Sequence, residues 1–101
     1  MLSWKARAEA LGRTEAEIRS EMASALGRIG RTLSSMIADL HQLQQMPVPG
    51  SEMERVQQQK AYKELRSRAK LYYWYLTVQR EAIGIRNHDS LREQYSIPAD
   101  I

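Results

Sequence analysis

Pro47-Val48-Pro49-Gly50 is the segment that decides the fold, because it separates two long stretches of helical sequence. Proline lacks the backbone N–H that a helix interior requires, and it disfavours the helical conformation in the residue before it. Helix-favouring residues dominate on both sides, and no sustained alternation of β-branched residues indicates a strand. The sequence therefore predicts an all-α protein built on a long antiparallel helical hairpin, with the loop at residues 46–50.

Before the loop, apolar residues alternate three and four positions apart, a spacing typical of a helix that packs lengthwise on another helix, as in a coiled coil. The residues in this pattern are Met22, Leu26, Ile29, Leu33, Met36, Leu40 and Leu43. They predict a helix over residues 14–45, which begins at the capping-box pair Thr14 and Glu17. A short flanking helix is expected over residues 3–11, ended by Gly12. Its apolar stripe contains Leu2, Trp4, Ala8 and Leu11.

After the loop, a second capping box at Ser51 and Glu54 begins a helix predicted over residues 51–83, which Gly84 ends. The core side of this helix is expected to carry Leu65, Ala69, Tyr72, Tyr75, Leu76 and Ile83. Pairing the two helices outward from a short loop places Leu33 opposite Leu65. A short helix over residues 89–95 and an extended tail over residues 96–101 complete the predicted single domain.

Length and composition bound the function. A chain of 101 residues without phenylalanine has a thin core, so a second copy or a partner is expected to complete the helical bundle. The absence of cysteine fits a reducing compartment and predicts a cytoplasmic protein. No segment has the apolar length of a secretory signal or a membrane span. The net charge of +3, with both signs interspersed, favours an anionic partner only weakly.

Catalytic and metal-binding patterns are not found in the sequence. His41 and His88 are far apart, and neither belongs to a helical pair that binds zinc or iron. The run His88-Asp89-Ser90 holds the residue types of a hydrolytic triad, but such triads are assembled across a fold and not from neighbours. We therefore expect no catalytic residue, no metal, no cofactor and no enzymatic activity.

The run Leu71-Tyr72-Tyr73-Trp74-Tyr75-Leu76 makes the second long helix apolar almost all round. Such a helix is normally covered on more than one side, by a third helix, a second copy or a partner. The sequence predicts a protein–protein interaction module, such as an adaptor, assembly or regulatory subunit. Its expected contact residues are Leu71, Tyr73, Trp74, Val78 and Arg80. The N-terminal short helix is expected to fold back over the Trp74 side.

A nucleic-acid-binding surface is the alternative, because basic residues lead directly into the aromatic run. Cationic grooves with stacking aromatic side chains commonly hold single strands. The residues for this alternative are Lys63, Arg66, Lys70, Tyr73 and Trp74. It is the less favoured prediction, since a basic stripe on a helix is usually its solvated face.

Overall fold

The computed structural model describes residues 3–101, and these are helical without a strand, which confirms the predicted fold class. Two long helices, α1 (Trp4–Gln45) and α2 (Glu52–Ala82), form a hairpin, and a six-residue helix, α3 (Asp89–Gln94), follows α2. The molecule measures 74 × 27 × 15 Å and is therefore a rod.

The first helix is continuous, so the predicted break at Gly12 and the separate helix over residues 3–11 are wrong. Ser3 caps α1, its Oγ accepting a hydrogen bond from the Ala6 N–H at 3.2 Å. Thr14 does not cap a new helix, because its hydroxyl donates to the carbonyl of Ala10 at 2.9 Å within the helix. A glycine inside a helix costs about 1 kcal/mol, which is too little to offset ending the helix and nucleating another. Leu2 lies outside the described residues.

Both predicted turns at the ends of α2 are confirmed. At its start, the Ser51 hydroxyl accepts from the N–H of Glu54 at 3.1 Å, as a helix cap does. At its end, Gly84 has a φ of +91°. The N–H of Ile85 donates to the carbonyl of Arg80 at 2.9 Å, and the N–H of Gly84 donates to the carbonyl of Glu81 at 3.0 Å. This is the Schellman arrangement, in which glycine adopts the left-handed conformation at little cost.

The core is a single row of apolar side chains between α1 and α2, closed at one place by α3. Its buried residues are Leu33 and Leu40 of α1, Tyr62, Ala69 and Leu76 of α2, and Leu91 of α3. Partly buried residues, among them Leu26, Leu65, Tyr72 and Tyr73, pack against this row. Most core residues are therefore supplied by α1 and α2.

The register of the hairpin differs from the prediction by about one helical turn. Leu26 and Leu76 line the same cleft between the helices. Counting seven residues along each helix from this pair places Leu33 opposite Ala69, about one turn from the predicted Leu65. Symmetric pairing assumes that the loop closes directly across the helix ends. Here the loop leaves α1 in an extended conformation, so α2 begins farther along the axis.

The C-terminal residues fold back along α2. Among residues 96–101, three backbone carbonyls accept hydrogen bonds from α2 side chains. Tyr62 Oη donates to Ala99 at 2.7 Å, Arg66 Nε donates to Pro98 at 2.9 Å, and Lys63 Nζ donates to Ile101 at 3.0 Å. Residues 96–101 contain no helix or strand, and these hydrogen bonds dock them on the hairpin.

The N-terminal part of α1 extends past the end of α2. Near that end, Gln79 lines a cleft with Met22 and Ala25 of α1. Residues 11–21 before them are all exposed. The expectation that the N-terminal helix folds back over the Trp74 side is wrong, since α1 runs straight on. We call residues 4–21 of α1 the arm.

The two glycines that differ most in surroundings give a stability prediction. Nothing lies within 4 Å of a Cβ built on Gly12, whereas a Cβ on Gly30 would lie 2.6 Å from Tyr95 Oη. We expect Gly12→Ala to raise the free energy of unfolding by about 0.5–1 kcal/mol, the helix-propensity difference. Gly30→Ala should gain nothing, because the new methyl group displaces Tyr95. Urea unfolding of both variants measures the difference, and an equal gain at both sites would contradict the packing role of Gly30.

Candidate functional site

The second helix has an apolar stripe on the side facing away from the core. Leu71, Trp74, Tyr75 and Val78 follow the spacing i, i+3, i+4 and i+7, which places them on one face of a helix. Their exposed fractions are 45%, 57%, 40% and 38%. At 100° per residue, this face lies on the opposite side of α2 from Ala69. We call these four residues the outer stripe.

The aromatic rings of the outer stripe are held in place by contacts with each other and with the core. Trp74 and Tyr75 have ring centroids 5.5 Å apart at an interplanar angle of 53°. Tyr75 also meets Tyr72 edge-to-face, with centroids 5.8 Å apart at 74°. Tyr72 packs against the core, so the ring contacts run from the core out to Trp74. Rings that are already ordered lose less conformational entropy when a partner covers them.

The structure places three of the five residues predicted for partner binding on the outer stripe. Leu71, Trp74 and Val78 are exposed there, whereas Tyr73 packs against the core. Tyr75, expected in the core, is exposed in its place. Tyr73 lies four residues after Ala69 and three before Leu76, and these two residues mark the centre of the buried face. A helical wheel centred on Ala69 and Leu76 places Tyr73 on the buried side of α2 and Tyr75 on the exposed side.

Arg80, the fifth predicted contact residue, supports the chain after α2 instead. Its Nε donates to His88 Nδ1 at 3.3 Å, and its Nη2 donates to the carbonyl of Asn87 at 3.0 Å. Because His88 accepts at Nδ1, its Nε2 carries the proton, and Nε2 lies 3.2 Å from Glu81 Oε1. Arg80 therefore fixes the bend between α2 and α3.

Of the residues predicted for nucleic-acid binding, Lys63 and Arg66 donate to the C-terminal segment. Lys63 Nζ also lies 3.3 Å from Asp100 Oδ1. The hydrogen bond from the Ile101 N–H to Asp100 is the main cause that lowers the pKa of this carboxyl below its ordinary value, and Lys63 and Arg66 lower it further. The contacts that Asp100 makes while residues 96–101 are docked on α2 therefore favour the ionised form of its carboxyl group.

A cleft beside the C-terminal segment brings three cationic side chains together, and we call it the basic cleft. It is lined by Arg66, Lys70, Tyr73, Arg92, Tyr95, Ser96 and Ile97. Of the five residues in the nucleic-acid prediction, Arg66, Lys70 and Tyr73 line this cleft, whereas Lys63 and Trp74 do not. Residues 92–97 contribute to this cleft, and the only signal for this in the sequence is the apolar character of Tyr95 and Ile97.

Neither a metal-binding cluster nor a membrane-spanning helix occurs within residues 3–101. No group of three or more histidine, cysteine, aspartate or glutamate side chains is arranged to hold a metal ion within this range. None of the helices in the same range contains a segment with the length and apolar character needed to cross a membrane.

Comparison with known proteins adds no relative from which a function can be carried over. The function of this chain is therefore inferred from its surfaces, above all the outer stripe and the uncovered arm. No protein-family model, curated protein or solved structure matches this chain.

Proposed function

We propose that the chain is a non-enzymatic helical interaction module whose outer stripe binds an amphipathic helix of a protein partner. The observation that supports this most strongly is the i, i+3, i+4, i+7 spacing of four large apolar residues that are 38–57% exposed. Such a stripe matches the way in which one helix lays its apolar face on another. A lack of cysteine suits the reducing cytoplasm, where we place this activity.

The charges around the outer stripe indicate the partner's chemistry. Arg68 and Lys70 flank its N-terminal end, and neither forms an ion pair with another residue of the range 3–101. Glu81 at the other end is already within 3.2 Å of His88. The charge beside the N-terminal end of the stripe is therefore positive, whereas Glu81 is the acidic residue at the other end. A partner helix with acidic residues flanking its apolar face fits this surface best, because opposite charges speed association and fix its orientation.

Trp74 is the expected centre of this interface. Aromatic residues that become fully covered are the commonest binding hot spots. We expect Trp74→Ala to raise the Kd for the partner about 30-fold, which corresponds to about 2 kcal/mol. Quantitative mass spectrometry of proteins retained from a lysate of the native host identifies the partner, and calorimetry with that purified protein measures the Kd.

A matched pair of valines controls for effects unrelated to the stripe. Val78 lies in the outer stripe, and Val56 is exposed near the start of the same helix, with an exposed fraction of 53%. Val78→Glu should abolish partner binding by placing a charge in the interface, while Val56→Glu should leave it unchanged. Equal retention of partners by both variants would show that the stripe is not the binding surface.

The basic cleft supports nucleic-acid binding as a second candidate. Three cationic side chains and two tyrosines border a cleft of about 410 Å³. Phosphate contacts by such side chains make binding strongly salt-dependent. In the same lysate experiment, recovery of nucleic acid that falls steeply with added salt and is lost in Lys70→Ala would favour this candidate over protein binding.

A further inference from the structure

The arm carries an apolar stripe that is not covered by the rest of the described chain. Trp4, Leu11 and Ile18 are spaced seven residues apart, and their exposed fractions are 76%, 64% and 50%. At 100° per residue, they lie within about 60° of Leu33 and Leu40 around the axis of α1. Their stripe is therefore the direct continuation of the face that α1 uses to pack on α2, and it becomes uncovered where α2 ends.

The charges along the arm are divided between its two halves. The first half carries Lys5, Arg7 and Arg13 against Glu9, and the second half carries Glu15, Glu17 and Glu21 against Arg19. Two arms that run antiparallel place the basic half of each beside the acidic half of the other. Two parallel arms would place like charges side by side, which is destabilising. The arm is therefore complementary to an inverted copy of itself.

Glu15 distinguishes the two orientations most clearly, because it lies on the apolar face of the arm between Leu11 and Ile18. A parallel pair would bring the two Glu15 carboxylates together in the middle of the interface. In an antiparallel pair with Ala8 opposite Ile18, Glu15 lies opposite Leu11 of the second copy. Arg7 is on the neighbouring turn of that copy, where it can form an ion pair with Glu15.

We propose that a second copy of this chain packs antiparallel against the arm and takes the place that α2 occupies along the rest of α1. The 18 residues of the arm span about 27 Å. Full burial of the apolar side chains at three positions in each copy removes roughly 600–900 Å² from water. The stems of the flanking charged side chains add to this area. The total approaches the roughly 1,000 Å² that a specific interface requires.

The mass in solution tests the proposal. Light scattering on a size-exclusion column should give twice 11.7 kDa for the full chain. Ile18→Glu should reduce the mass to 11.7 kDa, because it buries a charge in the interface. Ser20→Glu is the matched control, since it adds the same charge two residues away on the opposite side of the helix, and it should keep the dimer. A monomer at high concentration, or a dimer that Ile18→Glu leaves intact, overturns the proposal.

The orientation is tested by disulfide formation, which is simple because the chain has no cysteine. Chains with Ala8→Cys mixed with chains with Ile18→Cys should form a mixed disulfide dimer, whereas Ala8→Cys alone should not cross-link. Cross-linking of Ala8→Cys to itself indicates a parallel pair and overturns the antiparallel arrangement.

This dimer is independent of the proposed partner site. Loss of the dimer in Val78→Glu, with its retention in Ile18→Glu, would move the interface to the outer stripe and overturn the inference. A dimer that survives Val78→Glu while partner binding is lost supports both proposals. The experiments can therefore contradict the dimer proposal and the partner-binding proposal independently of each other.

Discussion

Leu33→Ala should lower the free energy of unfolding by about 2–5 kcal/mol, the range for removing a buried leucine side chain from a packed core. Leu33 is fully buried and is one of only six apolar residues that form the core of the described chain. A domain of this size is stable by roughly 5–15 kcal/mol, so the loss is a large share of the total. Urea unfolding followed by helical circular dichroism, at one protein concentration, measures it.

The control for this prediction is the same substitution at Leu71, which is 45% exposed on the outer stripe. Exposed positions usually change stability by no more than about 0.5 kcal/mol. Similar losses at Leu33 and Leu71 would show that the outer stripe is covered in the isolated protein. That result would count against its availability to a partner, so the pair of variants tests both the core and the site.

The parts of the fold that local chemistry determines were predicted from the sequence. The proline-rich loop, the Ser51 cap and the Gly84 turn each depend on residues within a few positions of one another. The prediction failed at Gly12 and Thr14, although the local signals there were similar. A helix-ending signal followed by a helix-starting signal does not interrupt a helix when the backbone hydrogen bonds on both sides favour continuing it.

The register of the hairpin required information from outside the helices. The direction in which the loop leaves α1 sets the register, and no local motif specifies it. Gly30 of α1 lies against Tyr95 from the C-terminal segment, since a Cβ built on it would lie 2.6 Å from Tyr95 Oη. A long-range contact of this kind leaves no signal in the local sequence pattern.

In the candidate site, too, the sequence predicted what depends on position along one helix and not what depends on distant segments. An apolar run of six residues in a helix must expose some of them, so Leu71, Trp74 and Val78 followed from the sequence once their helical positions were drawn. The role of Lys63 and Arg66 did not follow, because basic residues on a helix do not reveal that a distant segment supplies carbonyl acceptors for them. The partner-binding role of the outer stripe stays a prediction.

Leu91→Ala should detach the C-terminal segment from the hairpin. Leu91 is 1% exposed and is the fully buried anchor that residues 85–101 contribute to the core. Its truncation costs about 2–5 kcal/mol. The hydrogen bonds that hold residues 96–101 are partly or fully exposed and contribute only about 0.5–1.5 kcal/mol each. We therefore expect faster amide hydrogen exchange in residues 85–101, with protection retained in the α1–α2 core.

Ser90→Ala is the neighbouring control, because Ser90 is exposed and the substitution leaves Leu91 in place. Exchange that rises equally throughout α1 and α2 in Leu91→Ala would mean that the C-terminal segment supports the whole hairpin. If Leu91→Ala detaches only the C-terminal segment, the variant also distinguishes partner binding from nucleic-acid binding. The outer stripe lies on another side of α2, so Val78-dependent partner binding should persist, whereas the basic cleft loses the wall formed by Arg92, Tyr95 and Ile97.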